Sequence, residues 1–390
     1  MKALVISPQP FFSPRGTPFS VYYRTMIEAQ LGLKIDLLTY GEGQDVDLPG
    51  VRIIRIPRFA FLGNVRVGPS WLKLFLNVFL LGWTVALLVR HRYDVVHAHE
   101  ESVFFARLLK PIFRFKLVYD MHSSLPQQLT NFSFTRSKWL IGLFGWFEDA
   151  ALTKSDAVIT ICPELAEYAE PRMPDPSRHF LIENSIFDDV RLKSPADAVP
   201  SAPDPAATPP DRALVVYAGT FEAYQGLELL IRAFALARTR RPDAFLLLVG
   251  GNESQAERLS ALANARGLRG HCHFTGRVPQ SLARWYASKA AVQTSPRITG
   301  SNTPLKIYEQ LASGVPLVAT RIPSHTQVVD DRVCFLVEPS ERAMAEGLEA
   351  ALTDTLRREQ VVAAARELYK RRYSREVYEQ KMRSMLQALA

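Results

Sequence analysis

The sequence predicts an α/β protein of two domains, each a doubly wound parallel sheet, facing each other across a cleft. Three observations carry this. At 390 residues the chain is too long for one ordinary hydrophobic core. Short apolar runs alternate with helical patterns along its length, as parallel strands joined by crossover helices do. A stretch without periodicity, Ser194 to Arg212, holds six prolines and splits the runs into two sets, as a semi-rigid linker would. The expected domains are 1–193 and 213–372, with 194–212 between them.

In the first domain the predicted strands are, in order, KALVIS, KIDLLTY, VRIIRI, YDVVHAH, KLVYD, DAVITI and HFLIE. Between the third and fourth lies Leu74 to Val89, sixteen residues in which only Asn77 and Thr84 are polar. A spanning helix needs about 20 apolar residues, so this run falls short of one. It is expected either as a buried crossover helix or as a helix that dips into lipid headgroups. In the second domain the strands are ALVVYAG, AFLLLVG, HCHFTG, AAVQTS, VPLVAT and VCFLVE. Ahead of VPLVAT, Thr303 suits an N-cap, Pro304 a first helical position and Gly314 the residue past the end. Together they predict a helix over Leu305–Ser313.

An apolar fraction of 47% and a charged fraction of 22% describe a soluble globular protein. Cys162, Cys272 and Cys334 are scattered and odd in number, which argues against a disulfide framework or a zinc site. The opening MKALVISP reads as a strand and not as a signal peptide, so a cytoplasmic location is expected. The net charge of +8 is unevenly placed: between Val51 and Lys116, eleven Lys and Arg stand against only Asp94, Glu100 and Glu101. Arg66, Lys73, Arg90 and Arg92 flank the apolar run, which favours an anionic membrane surface, peripheral on the inner face of the cell membrane. Nucleic acid is not expected as a partner, since it would want a polar basic stripe with interleaved aromatics.

In doubly wound sheets ligands gather at the carboxyl ends of the strands, so the loops there carry the chemistry. After the first strand, SPQPFFSPRGTPFS has a single Gly16 before a helical run, where a glycine lets backbone amides approach a ligand. His122 follows the fifth strand and reads as structural or catalytic with equal ease. Asp45 and Asp47 form a carboxylate pair without a third ligand and read as a solvated turn; neither metal nor cofactor is expected. The densest cluster is TSPRITGSNTPLKIYEQ. Here Arg297, the loop Ser301–Asn302–Thr303, the amides of Leu305 and Lys306 and the Lys306 ammonium can converge on one diphosphate. A bound anion would explain a lysine in a first helical turn, where the macrodipole disfavours it. Glu309, about one turn further in, can accept hydrogen bonds from a ribose diol, against the bland alternative of a surface carboxylate.

At these residues the sequence resembles the family 4 glycosyltransferases, retaining enzymes with the GT-B fold of two Rossmann-like domains. The likeness runs over essentially the whole chain. It is strongest in VVYAGTFEAYQGLELLIRAF, FLLLVGG, HFTGRVP and YEQLASGVPLVAT, and weaker in the Gly16 loop, DVVHAHE and YDMHSS. The resemblance implies a nucleotide-diphosphate sugar as donor, held by the second domain, and a glycan or lipid-linked acceptor on the first. It implies that the last segment, 373–390, returns to the first domain. Glu309 then matches the glutamate that binds the donor ribose, and His122 the histidine that approaches the transferred sugar. Gly16 matches the glycine near the diphosphate, Leu305 and Lys306 its amide donors, and Arg277–Val278 the backbone that holds the base.

Three positions depart from the pattern: Thr220 and Gln225 stand where the family often has arginine and lysine, and Ser301 where it has a glutamate. The leaving diphosphate still needs neutralising, and Arg297 and Lys306 stand where replacements would have to be. Epimerisation of a UDP-sugar on the same fold would want carboxylates and histidines lining the cleft, and a phosphorylase would need a lysine-bound pyridoxal phosphate. A non-catalytic, nucleotide-sugar-binding relic fits the three departures, and the intact phosphate helix speaks against it.

Overall fold

Each of the thirteen runs predicted as a strand is a strand of one of two parallel sheets. The computed structural model describes residues 1–13, 16–59, 65, 70–124, 126, 138–187, 190, 192 and 202–389. The chain divides into two units, Met1–Pro195 with Arg375–Ala390, and Ala196–Ser374. In the first, β1 (Lys2–Ser7), β2 (Lys34–Thr39), β3 (Val51–Arg55), β4 (Val95–His99), β5 (Lys116–Met121), β6 (Ala157–Thr160) and β7 (His179–Leu181) form a sheet in the order β3-β2-β1-β4-β5-β6-β7. The helices α1 (Gly16–Gln30), α2 (Trp71–Arg90), α3 (Ser102–Phe113), α4 (Lys138–Lys154) and α5 (Pro163–Ala169) connect them. Alternation along β4 shows how both faces are buried. Val96 and Ala98 pack with Leu80 and Leu87 of α2, whereas Val95 packs with Val5 and Ile27 on the α1 side.

In the second unit β8 (Ala213–Ala218), β9 (Ala244–Val249), β10 (Cys272–Gly276), β11 (Val292–Ser295), β12 (Leu317–Thr320) and β13 (Phe335–Val337) form a sheet in the order β10-β9-β8-β11-β12-β13. Its helices are α6 (Leu227–Ala237), α7 (Glu253–Ala265), α8 (Gln280–Ser288), α9 (Lys306–Ser313), α10 (Pro323–Thr326), α11 (Glu341–Thr353) and α12 (Thr355–Arg372). The last helix, α13 (Arg375–Leu389), belongs to the first unit. There Tyr378 packs on Phe187 with ring centroids 5.2 Å apart, and Lys381 pairs with Glu183 at 2.5 Å.

The structure revises three sequence expectations. The described part of the proline-rich stretch is docked on the second unit: Asp204 N bonds the Tyr286 hydroxyl at 2.9 Å and Ala207 is buried, while 193–201 lie outside the described residues. The apolar run is part of a 20-residue helix, α2, long and apolar enough by length and composition to cross a membrane. Its buried residues Leu76, Leu80, Thr84, Leu87 and Leu88 form one stripe against the sheet, and Trp71, Leu74, Phe75, Val78, Trp83 and Val89 are exposed. Helix α9 begins at Lys306, not Leu305. Ile307 N bonds the Pro304 carbonyl in a tight first turn at 3.0 Å, and the Thr303 hydroxyl caps nothing.

Candidate active site

Strand order decides which loops meet in the second unit. β8 and β11 are neighbours at the point where the order reverses, so the segments after them adjoin. They close on each other at Gly226, and the segment after β11 folds on itself at Gly300. A Cβ on Gly226, at φ +71, would stand 1.9 Å from the Pro296 carbonyl oxygen, and one on Gly300, at φ +122, would stand 2.4 Å from Arg297 Nη2. Only glycine permits both the left-handed backbone and the approach.

The enclosed groups are cations without anions. Arg297 Nη1 donates to the Asn302 carbonyl at 2.8 Å, and its guanidinium carbon lies 5.0 Å from the centre of the Tyr224 ring. Lys306 Nζ lies 3.8 Å from the centre of the Tyr217 ring, whose hydroxyl donates to the Thr220 carbonyl at 2.6 Å. Lys306 Nζ, Arg297 Nε, Thr303 Oγ1 and Gln225 Oε1 are buried with no hydrogen-bond partner among the described residues. Each such group costs about 1–3 kcal/mol, and the three donors among them, on Lys306, Arg297 and Thr303, call for a missing acceptor. Burial and the neighbouring Arg297 guanidinium push the Lys306 amine well below the usual lysine range, and burial also lowers Arg297. His325 backs the cluster, bonded to Ser295 Oγ at 2.9 Å, and burial pushes it down to about 4. An oxyanion seated here would satisfy the orphaned donors and restore the lysine's charge.

The remaining second-unit candidates surround this cluster or stand apart from it. The Ser301 carbonyl accepts from Gln327 Nε2 at 2.7 Å, which ties the β11 loop to the segment after α10. Leu305 is the cap residue of α9. Glu309, on the same face of α9 as Lys306, accepts from Arg284 Nε of α8 at 2.8 Å. Arg277 is exposed, and Val278 packs against the cluster of Leu282 and Tyr286.

In the first unit, Gly16 opens α1, and a Cβ there would meet nothing within 4 Å, so the space beside it is open. His122 is not a lone histidine. Its Nε2 lies 3.0 Å from His99 Nδ1 and 3.3 Å from Asp120 Oδ1. Asp120 Oδ2 also meets Arg24 Nε at 3.0 Å, His97 Nε2 at 3.2 Å and His99 Nδ1 at 3.2 Å, and His97 Nδ1 reaches Glu28 at 2.6 Å. Strand alternation puts His97, His99 and Asp120 on one face of β4 and β5, over α1. Burial opposes charge on His97, but Glu28 and Asp120 outweigh it and raise the imidazole to about 9; burial drives His99 down to about 3. His97, His99 and Asp120 are close enough to hold a metal ion, but the Arg24 guanidinium already supplies positive charge at the same carboxylate oxygen. Asp45, the other carboxylate weighed for a metal, pairs with Arg55 at 3.1 Å.

Two family models match this chain: a glycosyl transferase 4-like domain over residues 24–185, and glycosyl transferases group 1 over residues 201–368. The chain belongs to the GT-B glycosyltransferases of the family 4 type. Among curated relatives, the phosphatidyl-myo-inositol mannosyltransferase of Mycobacterium leprae is 31% identical over 45% of this glycosyltransferase and 46% of its own length. The protein of the same name from Mycobacterium tuberculosis is 24% identical over 93% of this chain and 91% of its own. Among solved structures, sucrose-phosphate synthase from Thermosynechococcus elongatus superposes with TM-score 0.76 at 21% identity, covering 99% of this chain and 98% of that one. Anabaena HepE, in complex with UDP and glucose, gives 0.72 at 15% identity, covering 99% of both chains. These likenesses establish the fold of the glycosyltransferase.

Sequence reasoning missed Tyr217, Tyr224, Arg284 and His325 in the second unit, and Arg24, Glu28, His97, His99 and Asp120 in the first. Strand ends were a usable signal for Tyr217, His99 and Asp120. Arg284 and Arg24 lie mid-helix and become visible only through their partners.

Proposed function

We propose that this glycosyltransferase moves a sugar, with retention at the anomeric carbon, from a nucleoside-diphosphate sugar to a lipid-linked acceptor at the inner membrane surface. The observation that carries the reading is the orphaned cluster of Lys306, Arg297 and Thr303 at the β8–β11 switch point. Breaking the anomeric C–O bond sends its electron pair to the diphosphate. Arg297, Lys306 and the first amides of α9 neutralise that charge in the role a metal ion has elsewhere. Thr220 and Gln225 leave the β8 segment without cations, and the Arg297 guanidinium beside Tyr224 supplies the charge from the neighbouring loop. The acceptor hydroxyl adds on the leaving-group face, and its proton passes to the departing phosphate oxygen, so no separate acid and base pair is needed. Glu309 holds the ribose, Gly16 admits the diphosphate, and His122 orients the sugar. The relatives' names support a lipid-linked acceptor, and the UDP and glucose bound to HepE support the donor class.

The membrane part of the proposal rests on exposure. Trp71 is 76% and Val78 66% exposed on α2, and Leu108, Ile112 and Trp146 continue an exposed apolar surface on α3 and α4. Lys73 is half-buried at the start of α2; burial lowers its amine, but Glu101 and Glu100 outweigh this and raise it. Arg66 lies outside the described residues. With radiolabelled nucleoside-diphosphate sugars and anionic liposomes carrying a membrane lipid extract, the protein sediments and label enters the organic phase. Trp71→Glu with Val78→Glu releases the protein from the liposomes. Label that stays aqueous with every donor, or wild-type protein left in the supernatant at low salt, contradicts the reading.

A further inference from the structure

The geometry points to Arg284 as a positioning residue that sets the donor site's preference for a ribonucleotide. The inference rests on the proposed donor reading and extends it to a residue outside the phosphate cluster. Arg284 Nε donates to Glu309 Oε1 at 2.8 Å, with the two side chains 33% and 29% exposed. An ion pair so wet adds little to folding stability, so the fold alone gives weak reason for it. Its location is informative. Glu309 lies three residues after Lys306 on one face of α9, about one helical turn from the buried cations. A diphosphate on those cations leaves its nucleoside within reach of the Glu309 carboxylate.

A glutamate at a half-exposed position samples several rotamers, and a ligand must fix one of them at a cost. Arg284, anchored on α8, selects one orientation in advance. An ionised carboxylate so placed accepts from both hydroxyls of a diol. A carboxylate has about four acceptor positions, so a diol can share it with a guanidinium. Arg284 therefore acts through Glu309 and need not touch the nucleotide. What it controls is the difference between ribose and 2′-deoxyribose, where one hydroxyl is missing.

The test is calorimetric binding of UDP, GDP and ADP and of their 2′-deoxy counterparts to the full chain. Wild type binds at least one ribonucleotide more tightly than its deoxy form. Glu309→Gln removes most of that preference. Arg284→Gln reduces it about five-fold, the size of one side chain's ordering cost, with its melting temperature little changed. Arg284→Lys keeps part of the preference, and the Arg284→Gln, Glu309→Gln double variant matches Glu309→Gln alone. An Arg284→Gln protein with full wild-type preference overturns the inference and leaves the donor site standing. Wild-type protein that binds ribo and deoxy forms equally overturns the role of Glu309 and this inference with it. Wild-type protein that binds none of the three overturns the donor site itself.

Discussion

Replacing Arg297 and Lys306 together with alanine lowers the glycosyltransferase's turnover by about 10²- to 10³-fold while raising the donor KM much less. One well-placed donor to a developing oxyanion is worth about that factor. The two act on the same diphosphate, so their losses do not simply multiply. The split between kcat and KM follows from when the charge appears: the bond to the sugar breaks in the transition state, and the cations gain most there. Steady-state kinetics with the best donor of a panel gives the result. Adding Thr220→Arg and Gln225→Lys to the double variant restores part of the rate, because the family resemblance places cations at those positions. An unchanged kcat in the double variant, or no recovery in the fourfold one, argues against charge relocated from the β8 segment to the β11 loop.

Arg24→Met destabilises the fold by about 3–5 kcal/mol, measured by urea denaturation. Arg24 and Asp120 are both fully buried and 3.0 Å apart, and removing one partner strands the other charge in the core. His97 adds a pH dependence. Its folded value of about 9 stands above the ordinary 6.5, so its stabilisation is fully present below about pH 6.5 and is lost as pH rises through about 9. Wild type therefore loses stability over that window, and His97→Gln flattens the loss. A stability near wild type in Arg24→Met would mean that the His97 imidazolium already balances Asp120.

The sequence made the strands legible because parallel strands buried on both faces are continuous apolar runs, and the doubly wound architecture followed from them. The convergence of Arg297 and Lys306 was legible for the same reason, since one flanks a strand end and the other opens the next helix. Partners distant in sequence were not. Arg284 and Glu309 sit on separate helices, and Arg24 meets Asp120 only because α1 packs under β5. Lys73 shows the limit of a local charge sum. It flanks the apolar run in sequence, and the carboxylates that raise its amine, Glu100 and Glu101, come only after the next strand. Thr303 likewise has a capping residue's chemistry, but the tight turn at Pro304 leaves its hydroxyl turned to the cation cluster's unfilled hydrogen-bond inventory.

The depressed Lys306 amine gives the donor site a measurable signature. Unliganded, the amine is held down by burial and by Arg297; a bound diphosphate favours its charged form, so binding takes up a proton. Between the free and bound pKa values affinity then falls as pH rises, by up to about tenfold per unit. Calorimetric titration with nucleoside diphosphates at several pH values, in two buffers of different ionisation enthalpy, detects the proton directly. The site described here takes up protons on binding nucleotide, and Lys306→Met takes up fewer. Nucleotide binding with no net proton exchange in wild type, unchanged in Lys306→Met, would contradict a diphosphate seated on Lys306.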